Sequence, residues 1–190
     1  MKLLKPSLIA VVVGIAAVTC KKSSGNQQAG PAITIQGFML VDFNGNLTGW
    51  NGTPDSDWMI RPHLSAAELA LFQFNTNLSL DNTAETIVQQ YPAFAFPNPA
   101  WLQQRFLVNT QDSNVVKVVY VDSMLRVLKD TALKVKGQTY IGLDLGDTTL
   151  FPNHSSRRVY FSFSAAGHTD YAVGYGDVRI CNQLDAGNCF

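Results

Sequence analysis

The residue types best suited to chemistry are three tryptophans and two aspartates around one polar loop. Trp50 and Trp58 flank the loop, which contains Asp55 and Asp57, and Trp101 follows a proline-rich segment. Indole faces stack on sugars or receive a partner's apolar groups, while polar neighbours orient the ligand. We therefore predict a ligand-binding site at these five residues. Two alternatives stay open: indoles that fill the core, and aspartates that cap turns or chelate calcium.

Catalytic and metal-binding motifs are not evident. The histidines at positions 63, 154 and 168 lack metal-site spacing, and neither a nucleophile elbow nor a phosphate-binding loop occurs. We therefore predict no catalytic residue, no metal and no cofactor. Asp42, Asn44 and Asn46 alternate like the start of a calcium loop, but Leu47 replaces the required glycine, which favours an Asn-Gly hairpin turn.

The first twenty residues have the pattern of an export signal. Lys2 and Lys5 precede an apolar run at 8–18, which is too short to span a bilayer. The following Ala17-Val18-Thr19-Cys20 resembles the lipobox of bacterial lipoproteins. The resemblance implies a signal peptide at 1–19, acylation of Cys20, a membrane anchor and a flexible tether at 20–32. It also implies an outer-membrane lipoprotein, with the periplasmic leaflet slightly favoured over the cell surface.

The charge and composition of the chain further restrict the classes of molecule that we expect it to bind. The chain has 14 basic and 14 acidic residues, and positions 33–190 alone have 10 basic and 14 acidic residues, a formal charge of −4. Nucleic-acid binding needs a concentrated basic face, so we predict no nucleic-acid partner.

Alternating apolar residues predict many short strands from residue 33 onward. They lie at 32–41, 69–74, 105–108, 115–121, 124–128, 139–145, 159–163 and 171–180. Strands at this spacing, with turn residues between them, favour one all-β domain over 33–190, an antiparallel β-sandwich with little helix. The one helical signal is a capping box in which Ser65 is followed three residues later by Glu68.

The segment Phe94-Ala95-Phe96-Pro97-Asn98-Pro99-Ala100 and the strands after it resemble the C-terminal sorting domains of type IX secretion substrates, which are common in Bacteroidota. The resemblance covers roughly residues 94–179 and implies an immunoglobulin-like sandwich. We take only the fold from it, because the chain already has a lipoprotein signal and ends in Cys189-Phe190.

Cys181 and Cys189 form an even pair in a chain predicted to be exported, which favours a disulfide. Closing this loop of about nine residues would stabilise the fold by about 2.6 kcal/mol. A metal site is the lesser alternative, because no second cysteine pair and no histidine lies nearby in the sequence.

These features together predict a lipid-anchored, non-catalytic binding or structural module of the cell envelope. Its expected partners are the membrane, through the anchor, and a glycan or an envelope protein. The alternative function is a hydrolase acting on envelope or environmental polysaccharide, since aspartates could supply a glycosidase pair.

Overall fold

The computed structural model describes residues 32–53, 57–80, 93–181 and 189. These ranges contain one helix and eight strands, in the order β1 (Gly37–Val41), β2 (Leu47–Gly52), β3 (Met59–Ile60), α1 (Ala66–Ala70), β4 (Ala93–Phe96), β5 (Gln103–Val121), β6 (Val127–Asp144), β7 (Ser156–Ala165) and β8 (His168–Arg179). The predicted signal peptide, Cys20 and nearly all of the tether lie outside the described residues. Among those residues, no helix is long and apolar enough to cross a membrane.

The strands form two antiparallel sheets. β1 and β2 make a hairpin, while β3, β8, β7, β5 and β4 follow one another in a second sheet in which β6 also pairs with β5. Every pairing between these named strands is antiparallel. The predicted all-β fold is therefore confirmed, whereas the immunoglobulin-like sandwich and the single-domain boundaries stay predictions.

β5 and β6 form one long ribbon where the sequence predicts four separate strands. Thr110 pairs with Gly137 and Asn114 pairs with Val135, so three residues of β5 face one residue of β6. Extra residues on one strand bend and twist a ribbon without ending it. Gly137 has a φ of 70°, which glycine adopts without strain. The turn residues here thus mark a bulge in a continuous ribbon.

The bulge divides the six-stranded sheet into two parts with a shared core. We call β4 with 103–110 and 137–144 the open half, and 114–121 with β7 and β8 the closed half. Trp58 packs against Phe106 of the open half and Phe161 of the closed half, with ring centroids 6.1 and 6.4 Å away, and those two rings lie 5.8 Å from each other. In both halves of β5 the even-numbered residues face this core. The burial of side chains along β5 follows this pattern, since the even-numbered residues of both halves are buried.

A second apolar cluster covers the other face of the closed half. Phe72 is buried there against Val119, Val121 and Tyr160. Most of the side chains that cover this face come from residues 64–74, which we call the covering segment. The prediction of a strand at 69–74 is wrong. Ser65 and Glu68 form the predicted capping box, which starts α1, and the chain after the helix packs on the sheet by side chains instead of pairing with it.

Candidate ligand-binding groove

The structure separates the five predicted site residues. Trp58 and Asp57 are buried, and Asp55 lies outside the described residues. Trp50 and Trp101 remain exposed by 42% and 38%. Only these two of the predicted tryptophans present a ring to solvent, so the predicted loop site does not form one aromatic surface.

Core packing explains the burial of Trp58. Its indole lies against Gly176, where an added Cβ would come within 2.2 Å of the ring. Its backbone N–H donates to the Tyr175 carbonyl oxygen at 2.8 Å, which ties the residue to β8. The alternative that a tryptophan fills the core is thus correct for Trp58.

Trp101 has an aromatic partner that the sequence did not single out. Its ring meets Phe43 edge-on with centroids 5.5 Å apart, and Phe43 is 59% exposed. Trp50 lies on β2 opposite Met39, in the same hairpin as Phe43 but away from the turn that carries Phe43. Phe43 and Trp101 therefore form an exposed aromatic pair on this surface.

The β1–β2 turn holds Phe43 in place. The Asp42 carboxylate accepts hydrogen bonds from the backbone amides of Asn44 and Asn46, both at 2.8 Å, and from the Asn46 side chain at 2.9 Å. The hydrogen bonds from Asn46, together with those from the turn amides, lower the pKa of Asp42 below its ordinary value. The predicted hairpin turn is confirmed, and it engages both oxygens of this carboxylate.

Phe43 forms one wall of a groove of about 450 Å³ on the open half. The floor and rim are formed by Pro97, Gln103, Gln104, Arg105, Gly142, Leu143 and Asp144. Gln103 pairs with Asp144 and Arg105 pairs with Gly142, and directly paired residues point to the same face. No atom lies within 4 Å of a Cβ built on Gly142, which leaves space between the polar side chains.

Buried hydrogen bonds fix the floor of the groove. Gln104 Nε2 donates to the Pro97 carbonyl oxygen at 2.9 Å, and Gln104 Oε1 accepts from Tyr120 Oη at 2.6 Å. Burial raises the pKa of Tyr120, so its hydroxyl stays a donor. Asn98 Nδ2 donates to the Asp177 carbonyl oxygen at 3.0 Å, which anchors the proline segment to β8. These hydrogen bonds therefore fix the positions of Gln104 and of the proline segment, which line the groove beside Phe43.

A second cleft of about 240 Å³ shares Phe43 and Pro97 with the groove. Its lining includes Trp101, Pro99 and both cysteines of the C-terminal pair. Phe43 borders both depressions, so a long ligand could contact the ring while extending in either direction.

No protein-family model matches the chain, and neither a curated protein nor a solved structure matches it. Functional inference therefore depends on the chemistry of the groove. Arg105 supplies donors, Asp144 supplies acceptors and the Gln103 amide supplies both, a set that complements hydroxyl groups.

The predicted disulfide between Cys181 and Cys189 is supported, with the two Cα atoms 6.2 Å apart. The fold also brings His154 beside this pair, although the sequence separates them by 27 and 35 residues. The histidine and the two cysteines are the one group of metal-ligating side chains found among the described residues.

Sequence reasoning missed Phe43, Gln103, Arg105 and Asp144. The alternation at 103–108 indicates a half-exposed strand, and so marks Gln103 and Arg105 as surface residues. Their pairing with 142–144 depends on the register across the bulge, which no local pattern specifies.

Proposed function

We propose that this protein is a lipid-anchored envelope protein that binds a glycan without transforming it. The observation that carries the proposal is the exposed Phe43–Trp101 pair beside a groove rimmed by Gln103, Arg105 and Asp144.

Exposed aromatic rings next to polar side chains suit a sugar ring. The apolar C–H face of a sugar stacks on an aromatic ring, and its hydroxyls bond to the amide, guanidinium and carboxylate groups around it. Large apolar side chains at a solvent-exposed groove also favour a binding role, since they gain free energy only when a ligand covers them. Asp144 is the single carboxylate among the described groove residues.

The anchor in this proposal is supported by residues 1–20. The basic start, the apolar run and the lipobox-like end favour export and acylation of Cys20. Several acyl chains on one cysteine suffice for stable membrane attachment. The tether would then hold the β domain near the envelope, where the outer membrane, and its periplasmic leaflet in particular, remains the favoured location.

The test is binding to a panel of envelope and environmental polysaccharides, measured by affinity electrophoresis and calorimetry. Phe43→Ala and Trp101→Ala should each weaken binding at least about tenfold, as expected for central aromatic contacts. Trp50→Ala is the matched control, because it removes an equally exposed tryptophan from β2.

Equal loss in all three variants would contradict the groove as the binding site. No binding to any polysaccharide would contradict glycan recognition itself. Release of new reducing ends during incubation would favour the hydrolase alternative, and Asp144→Asn should then abolish that release.

A further inference from the structure

The C-terminal cysteine pair and His154 have the composition of a soft-metal site. The two Sγ atoms and a ring nitrogen of His154 all lie within 4.8 Å of one another. Both cysteines are buried, whereas His154 is exposed. Thiolate sulfur and imidazole nitrogen are the ligands that zinc and copper(I) prefer in proteins.

Backbone hydrogen bonds hold two of these three residues, His154 and Cys181, in place independently of the bond between the sulfurs. The His154 N–H donates to the Ile180 carbonyl oxygen at 2.9 Å, and the Ile180 N–H donates to the Ser155 carbonyl oxygen at 2.8 Å. The Cys181 N–H donates to the Ala100 carbonyl oxygen at 2.7 Å. His154 and Cys181 are therefore fixed to adjoining backbone segments before any metal binds.

We propose that the reduced form of this pair binds a soft cation, Zn(II) or Cu(I), through Cys181, Cys189 and His154. Zinc bonds of about 2.3 Å to sulfur and 2.0 Å to nitrogen place tetrahedral ligand atoms about 3.5–3.8 Å apart. All three ligand atoms already lie within 4.8 Å of one another, so the site can form once the S–S bond is broken and the two sulfurs move apart. The ion can enter through the second cleft, which both cysteines line.

The disulfide and the metal complex exclude each other. Reduction adds two electrons and two protons to the S–S bond and yields two thiols, and the thiol reductant that supplies them is oxidised to its own disulfide. Metal binding then releases the two thiol protons, since the ligands are thiolates. The site thus reports on both thiol redox state and metal supply.

The test uses the full chain with and without prior reduction by a phosphine, in competition with a chromophoric chelator for Zn(II). The reduced protein should bind one equivalent, and the oxidised protein should bind none at the same site. His154→Ala should weaken binding at least about tenfold, because even outer partners of metal ligands contribute that much. His168→Ala is the matched control, an exposed histidine on β8.

A second measurement identifies the ligands directly. Co(II) in the reduced protein should give thiolate-to-metal charge-transfer bands and tetrahedral d–d bands, both lost in Cys181→Ser. Equal Zn(II) affinity of His154→Ala and His168→Ala would overturn the proposal, as would octahedral Co(II) spectra. A reduced chain that has lost its near-UV circular dichroism and binds metal without dependence on His154 would overturn it equally. Parallel titration with Cu(I) decides which of the two cations binds more tightly.

Discussion

The two halves of β5 belong to one strand but face different surroundings. In the open half the outward residues, among them Gln103, Arg105 and Asn109, are exposed. In the closed half the corresponding residues Val115 and Val119 are buried. The inward residues are buried in both halves, so the two halves differ only in the burial of their outward face.

The covering segment accounts for this difference. It places Phe72 on the closed half, where Lys117 Nζ donates to the Phe72 carbonyl oxygen and lies 5.3 Å from the ring of Phe74. The β1–β2 turn lies beside the outer face of the open half, with Gly45 next to the ring of Phe96. The closed half, which is buried on both faces, therefore contributes stability. The open half, whose outer face is covered only in part, keeps polar side chains available for binding.

The largest contrast is expected from removing a charge in each half. Asp177 makes a bidentate ion pair with Arg158, with both N···O distances 2.7 Å and both side chains buried. Asp177→Ala leaves the guanidinium buried without this partner and should lower the free energy of unfolding by about 3–5 kcal/mol. Denaturant unfolding followed by near-UV circular dichroism measures the loss.

Arg105→Ala is the control for that variant, since it removes an exposed charge from the open half. It should change the free energy of unfolding by no more than about 0.5 kcal/mol. Similar losses in the two variants would show that the halves do not differ in their tolerance of a lost charge.

A smaller contrast is expected from adding one methyl group to a glycine in each half. An added Cβ at Gly176 meets the buried indole of Trp58, so Gly176→Ala should cost about 1–3 kcal/mol of stability through overpacking. Gly142→Ala meets no atom within 4 Å and should be neutral or stabilise by up to about 1 kcal/mol, because glycine weakens a strand interior. Thermal unfolding of both variants measures whether each substitution raises or lowers the stability. Destabilisation by Gly142→Ala would contradict an open groove at that position.

The sequence could predict what depends on neighbouring residues. The all-β class follows from the alternation along the strands, and α1 follows from Ser65 and Glu68, which form the expected capping box. Turn chemistry at Asp42 and Asn46 also depends on local hydrogen bonds, so the hairpin was predictable.

Long-range register could not be predicted in the same way. Glycine is common in turns as well as in bulges, so Gly137 alone does not distinguish a chain reversal from a ribbon that continues. Likewise, nothing near Phe43 in the sequence indicates Trp101, and nothing near Cys181 indicates His154. Both groups form only when separate strands are aligned.

The smallest expected effect concerns the carboxylate that joins the covering segment to the closed half. Glu68 accepts hydrogen bonds from Tyr160 Oη and from the Ser65 amide and hydroxyl, each at 2.7 Å. Burial raises the pKa of Glu68, but these hydrogen bonds and the charge of Arg158 outweigh it and lower the pKa below its ordinary 4.5.

A lowered pKa in the folded state makes the stability contribution of Glu68 complete above pH 4.5 and lost as the pH falls through the folded-state pKa. Glu68→Gln should therefore flatten the dependence of unfolding free energy on pH below about pH 5. Tyr160→Phe removes one of the donors and should flatten it less. Adding Tyr160→Phe to Glu68→Gln should change the slope no further, because the neutral amide no longer titrates. Parallel acid limbs for the wild type and Glu68→Gln would show that this contact does not link the covering segment to the sheet through its charge.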